Sequence, residues 1–281
     1  MASYICNMST HSPIGVFDSG YGGLTVLKDI RSKLPQYDYL YLGDNARAPY
    51  GNRSFDTVYQ YTLECVNWFF DQGCQLVVLA CNTASSKALR TIQQNDLPLI
   101  DTEKRVLGVI RPTSEVIGNY SVSRSIGILG TTGTVQSDSY KIEINKFFPD
   151  IKIYQEACPM WVPLIENNEI DNTAADYFIK KNVNNLLLNS PDIDTILLAC
   201  THYPLLINKI RQFAGDRINI ISQGSIVADA LSNYLFRHKD LEQKISKNAI
   251  TTFCTTDDAA EFNANSTKFF GAPIKAKHVE I

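Results

Sequence analysis

Short apolar runs rich in β-branched residues alternate along the chain with longer amphipathic segments, the pattern of strands and crossover helices around a parallel sheet. Ile14-Gly15-Val16-Phe17 is the first such run. It leads into Asp18-Ser19-Gly20-Tyr21-Gly22-Gly23, where glycines permit a tight turn and close backbone approach. The pattern predicts a helix from Leu24 to about Lys33, closed by Pro35, and a strand from Asp38 to Leu42. Ser54 is placed to cap a helix running to Asp71 and stopping at Gly73, with Val58, Tyr61, Cys65 and Trp68 on one face. Gln75 to Ala80 reads as a buried strand, and Asn82-Thr83-Ala84-Ser85-Ser86 opens the helix after it.

The order then repeats. Ile126-Gly127-Ile128-Leu129 runs into Gly130-Thr131-Thr132-Gly133-Thr134, and Ile196-Leu197-Leu198-Ala199 leads to Cys200 as Gln75 to Ala80 leads to Cys81. Aligning Ile14 with Ile126 and Cys81 with Cys200 gives two nearly equal offsets, which argues for a duplication with small insertions. The expected fold is α/β: two similar doubly wound domains with mainly parallel sheets, related by a pseudo-twofold, with the site in the cleft between them. Residues 1–104 plus 222–281 would form the first domain and 105–221 the second, with the linker near Thr102 to Arg111. Ligands of such sheets sit outside the carboxyl ends of the strands, which is where both thiols fall.

Composition narrows the partner. With 281 residues, 44% of them hydrophobic and 20% charged, the chain can bury a sizeable core. A net charge of -3 gives no electrostatic support for a nucleic-acid surface, so a small molecule is the expected partner. Seven cysteines with no C-x-x-C pair do not make a disulfide framework and suit a reducing cytoplasm. No secretory signal or membrane-length apolar run is evident, so no membrane association is expected.

Two matched thiols, Cys81 and Cys200, suit a reaction with two symmetric ends. Racemisation of a carbon acid has that form, because one group takes a proton from one face while its counterpart returns a proton to the other. An unperturbed thiol is only a few per cent ionised at neutral pH, so its setting must favour the thiolate. A helix start after each cysteine is expected to do so, and can also hold a substrate carboxylate. His202 is close enough to Cys200 in sequence to exchange protons with it, and Asp18 is the natural assistant of Cys81 if their strands are neighbours. Cys6, Cys65, Cys74, Cys158 and Cys254 read as buried hydrophobes, and His11, His238 and His278 as surface residues. The glycine loop lacks the Gly-Lys-Ser/Thr ending of a P-loop and the G-x-G-x-x-G spacing, which weakens a nucleotide reading. Zinc held by Cys81, Cys200 and His202 is possible in principle but lacks paired ligand spacing. A hydrolase using Cys200 and His202 leaves Cys81 and the duplication unexplained, and a two-lobed binding protein leaves both thiols unexplained.

With Asp18-Ser19-Gly20, the segment Gly43-Asp44-Asn45-Ala46-Arg47-Ala48-Pro49-Tyr50-Gly51, Cys81-Asn82-Thr83 and Cys200-Thr201-His202 in view, the chain closely resembles the glutamate racemases, from about Ile14 to about Tyr234. The two cysteine motifs alone indicate the wider aspartate/glutamate racemase superfamily. The resemblance implies a cofactor-independent isomerase that interconverts L- and D-glutamate, supplies the D-isomer for peptidoglycan and assembles as a homodimer. Racemisation of aspartate or another acidic amino acid is the alternative. The resemblance makes Cys81 the base for D-glutamate, with Asp18 beside it, and Cys200 the base for L-glutamate, assisted by His202 and Glu166. It further implies substrate contacts from Asp18, Ser19, Pro49, Tyr50, Gly51, Asn82, Thr83, Thr131, Thr134, Thr201 and His202. Asp44 and Arg47 also suit a structural ion pair. Two departures stand out: the amino-terminal tail up to His11 and the segment from Arg237 onward match no motif, and Ile221-Ser222-Gln223-Gly224 stands where many members carry an aspartate.

Overall fold

The computed structural model describes residues 12–281, so the readings made for Cys6 and His11 lie outside the described residues. Ten strands appear in chain order: β1 (Ile14–Asp18), β2 (Tyr39–Gly43), β3 (Leu76–Leu79), β4 (Arg105–Gly108), β5 (Ser125–Gly130), β6 (Lys152–Ala157), β7 (Thr195–Ala199), β8 (Asn219–Ile221), β9 (Thr251–Thr255) and β10 (Ala276–His278). They form a first sheet in the order β10-β9-β2-β1-β3-β4 and a second in the order β6-β5-β7-β8. Every neighbouring pair is parallel. The run β2-β1-β3-β4 corresponds strand for strand to β6-β5-β7-β8, which is the duplication expressed as topology.

The central strands follow from their composition. All positions of β1, β2, β3, β5 and β7 are buried, as expected where crossover helices cover both faces of a parallel sheet. The helix Phe55–Asp71 is capped by Ser54, whose hydroxyl accepts from the Thr57 N–H. Its buried face is rotated from the expected one. Val58 and Cys65 point inward with Thr62, Val66 and Phe69, while Tyr61 and Trp68 are half-exposed. The reason lies across the interface: Gly15 has no side chain, and a Cβ there would stand 2.7 Å from Phe69 Cδ1, so Phe69 and not Trp68 packs down on β1.

The linker also differs from expectation. Residues 105–108 form β4, which pairs with β3 at the edge of the first sheet, so the chain leaves that sheet after Gly108. The segment after Arg237 supplies β9, β10 and the helix Ala259–Phe270, extending the first sheet beyond β2. This segment closes the core of the first lobe with Phe253, Phe262, Phe269 and Phe270, all buried. In the second lobe Trp161 is fully buried against Tyr203, their ring centroids 4.8 Å apart. No helix among the described residues is long and apolar enough to cross a membrane.

Candidate active site

Cys81 lies just beyond β3 and Cys200 directly after β7, the corresponding strands of the two sheets. Both line one cleft of about 590 Å³, including the space at its mouth, at the carboxyl ends of the sheets. Ser19, Pro49, Tyr50, Gly51, Asn82, Thr83, Thr131, Thr201, His202 and Glu166 line it with them. No lysine or arginine is on this wall, so hydroxyl, amide and main-chain N–H groups are the available donors to an acidic ligand.

The two thiols are served differently. Cys81 caps the helix Asn82–Lys87, its Sγ accepting from the Ala84 N–H at 3.5 Å and lying 3.5 Å from Ser19 Oγ. The helix start was expected to favour the thiolate, yet burial dominates and, with the nearby Asp18 carboxylate, pushes the Cys81 thiol up to about 12; Ser19 and the Ala84 amide offset only part of this. Cys200 has no comparable helix start, because a short 3-10 turn, Tyr203–Leu206, precedes the helix Ile207–Ala214. Its partner is an imidazole. His202 Nδ1 stands 3.9 Å from Cys200 Sγ, and Nε2 stands 2.9 Å from Glu166 Oε1. Burial alone would lower the pKa of His202, but its hydrogen bonds to Cys200 and Glu166 outweigh this and raise it to about 10.

Asp18 ends β1, which pairs with β3, so the strands carrying Asp18 and Cys81 are neighbours. It lies behind the cleft wall, 1% exposed, with Oδ2 accepting from the Gly20 N–H at 3.1 Å and Oδ1 from the Thr201 hydroxyl at 3.4 Å. Burial raises its pKa, with His202 pulling the other way. Thr134 is likewise displaced from the expected wall. It is fully buried behind Thr131, accepting from the Thr131 hydroxyl at 3.0 Å, while its N–H donates to Thr131 Oγ1 at 3.2 Å. Thr134 thus orients Thr131, which meets Thr83 of the first lobe at 2.9 Å. The Gly133 N–H also donates to Gly51 O across the cleft at 2.8 Å.

The loop carrying Pro49, Tyr50 and Gly51 is held from below. Arg47 Nε donates to Asp44 Oδ2 at 2.7 Å, Arg47 pairs with Glu64 and lies over the Tyr61 ring, and the Tyr50 hydroxyl donates to Asp44. Asp44 and Arg47 are therefore supports of the loop and not part of the cleft wall. Gln223 is buried in a similar supporting position: its Oε1 accepts from Asn82 Nδ2 at 2.8 Å, its Nε2 donates to the Tyr140 hydroxyl at 2.6 Å, and that hydroxyl donates to Asn82 Oδ1 at 2.5 Å. Cys158, Pro159, Val162 and Pro163 also line the wall and were not anticipated. They follow β6, the counterpart of β2, and the duplication therefore marks their loop as the partner of the Asp44 to Gly51 loop. Among the described residues no group of three or more His, Cys, Asp or Glu side chains is set to hold a metal ion.

The raised His202 pKa gives a signed expectation. An imidazole that stays protonated to about 10 when folded, against an ordinary value of 6.5, contributes stability that is complete below about 6.5 and fades as the pH climbs to about 10. Urea unfolding should show wild type and His202→Asn further apart at about pH 6 than at about pH 10. An equal gap at both would mean that the folded protein holds this ring neutral.

Three comparisons bear on identity. Residues 22–231 match the family described as Asp/Glu/Hydantoin racemase. The glutamate racemase of Sulfurihydrogenibium sp. (strain YO3AOP1) is 37% identical over 270 residues, covering 96% of this chain and 97% of that protein. The crystal structure of a glutamate racemase isoform from Bacillus anthracis superposes with a TM-score of 0.87 at 33% identity, covering 97% of this chain and 98% of that one. That of the Francisella tularensis glutamate racemase in complex with D-glutamate gives 0.85 at 29% identity, covering 96% and 98%. With such similarity along nearly its whole length, the chain belongs to the Asp/Glu/hydantoin racemase family, and within it to the glutamate racemases.

Proposed function

We propose that the protein interconverts L- and D-glutamate by proton transfer between two thiols, supplying the D-isomer for peptidoglycan. The observation that carries this reading is the placement of Cys81 and Cys200 on one cleft, at the ends of corresponding strands of duplicated sheets. In the L-to-D direction the Cys200 thiolate, paired with the His202 imidazolium, takes the α-proton. The Cys81 thiol gives its proton to the opposite face, leaving Cys200 as thiol and Cys81 as thiolate. The raised pKa of Cys81 suits it to wait as the donor.

The D-to-L direction requires Cys81 to ionise first. Asp18 and Cys81 would repel each other if both were charged, so the thiol ionises by passing its proton to the buried carboxylate, which leaves a single negative charge, now on sulfur. Negative charge developing on the α-carboxylate meets the Asn82 amide and the Ser19 hydroxyl in a partly enclosed cleft, and Thr83, Thr131 and Thr201 add donors as their hydroxyls turn from Thr131, Thr134 and Asp18 to the substrate. These side chains come from both lobes, so closure of the lobes assembles the site around the substrate.

In deuterium oxide the wild-type protein is expected to convert either enantiomer of glutamate to an equal mixture carrying deuterium at the α-carbon, read by NMR and chiral chromatography. Aspartate, one methylene shorter, is expected to react about tenfold or more slowly. Glutamate binding without α-exchange would replace this reading with that of a binding protein.

A further inference from the structure

The helix Ala259–Phe270 lies in sequence between two strands of the first sheet, yet its last turn reaches the second lobe. Lys268 Nζ donates to the main-chain oxygens of Ile165 at 2.9 Å and Glu166 at 3.2 Å, and to Asn168 Oδ1 at 2.6 Å. Ile165 and Glu166 end the helix Trp161–Glu166, where main-chain carbonyls lack partners within the helix. A cation donating there partners the Glu166 oxygen and adds to the Asn168 N–H that the Ile165 oxygen already accepts at 3.2 Å. Two residues further on, Asn168 adopts a left-handed conformation with φ of +58°, so the chain turns away immediately and nothing in sequence continues the helix.

The adjacent Phe269 is buried, its ring edge-on to the His202 imidazole with centroids 5.2 Å apart, and stacked on Tyr21 at 5.7 Å. Consecutive residues of one helix therefore fix both partners of the His202–Glu166 hydrogen bond. Phe269 sets the ring, and Lys268 sets the backbone from which the Glu166 carboxylate extends. Lys268 is absent from the cleft wall, and none of its hydrogen bonds reaches Cys81, Ser19 or Asp18.

We infer that Lys268 is a positioning residue for one of the two thiols: it keeps Glu166 within reach of His202, and through His202 sets the readiness of Cys200. It reaches the Cys81 side only weakly, through the charges of His202 and Glu166 acting on Asp18. This rests on the two-thiol reading. Because the equilibrium constant of a racemase is one, net turnover cannot tell the two sides apart, since kcat/KM changes equally in both directions. Exchange on a single face does so. With Cys81 replaced by serine, L-glutamate exchanges its α-proton through Cys200 alone; with Cys200 replaced, D-glutamate exchanges through Cys81 alone.

The test adds Lys268→Met to each of these backgrounds and follows α-deuteration of the two enantiomers by NMR, with thermal unfolding as the check on folding. Lys268→Met is expected to slow L-glutamate exchange in Cys81→Ser by about tenfold, the loss of a hydrogen bond from a charged donor, and to leave D-glutamate exchange in Cys200→Ser within twofold. Lys268→Arg, which keeps a cation and its donors, is expected to recover most of the loss. Equal slowing on both faces, or none on the Cys200 face, overturns the inference while leaving the two-thiol reading intact. Absence of single-face exchange with Lys268 in place overturns both.

Discussion

Cys81→Ser and Cys200→Ser each lower net racemisation of glutamate by about a thousandfold or more, within the range that a positioned proton-transfer group contributes. A serine hydroxyl is too weak an acid to form the required base, so one face of the substrate is left without a proton acceptor or donor. The remaining thiol still works on its own face, exchanging its proton with solvent and returning deuterium with retention. Cys81→Ser should accordingly deuterate L-glutamate and spare D-glutamate, and Cys200→Ser the reverse. Racemisation persisting near the wild-type rate in either variant contradicts the scheme. Deuteration of the opposite enantiomer in each would exchange the assignments of the two thiols. The differing surroundings make the assignment chemically sensible: Cys200 faces an imidazole held protonated, whereas Cys81 faces a buried carboxylate.

Gly22→Ala is expected to cut kcat/KM for both enantiomers by about a hundredfold, the cost of misplacing a reacting group by about 1 Å. Gly22 has ordinary helical dihedrals, φ of -59° and ψ of -37°, so alanine suits its backbone and the effect comes from space alone. A Cβ there would stand 2.2 Å from Thr201 Oγ1 and 2.3 Å from His202 Nδ1. Overpacking of this kind also costs about 1–3 kcal/mol of stability, so steady-state kinetics should be paired with urea unfolding. A variant with near wild-type kinetics would show that His202 and Thr201 tolerate displacement, and that their present positions are not needed for turnover.

What could be read from the sequence depended on how many faces of an element are covered. β1, β3, β5 and β7 are buried on both faces and stand out as continuous apolar runs, and they carry Asp18, Cys81 and Cys200 at or just beyond their ends. β4 is an edge strand whose Arg105 and Leu107 are half-exposed, so Arg105-Val106-Leu107-Gly108 resembled a linker. The first residues of β9, Thr251 and Thr252, are also half-exposed, which hid the last third of the first sheet. The helix start at Cys81 was legible, but the burial that reverses its effect on the thiol depends on how Cys81 packs into the apolar cluster of the first lobe. Thr134 was misplaced because its side chain faces Thr131 rather than the cleft, a distinction that the Gly-Thr-Thr-Gly-Thr pattern does not contain. Lys268 left no signal, since it acts on main-chain carbonyls about a hundred positions away, which have the same chemistry whatever the residue.

The same late segment bears on how the protein is made. β2 acquires its neighbour β9 only after some two hundred further residues have been added, so a nascent chain emerging from the ribosome presents β2 as an open edge, with the aromatic surface meant for Phe253 and Phe262 uncovered. The imidazole at position 202 likewise waits for Phe269 of the same late segment. This late segment thus completes both lobes at once, and a chain lacking it has an open edge on the first sheet as well as an unsupported histidine in the other lobe.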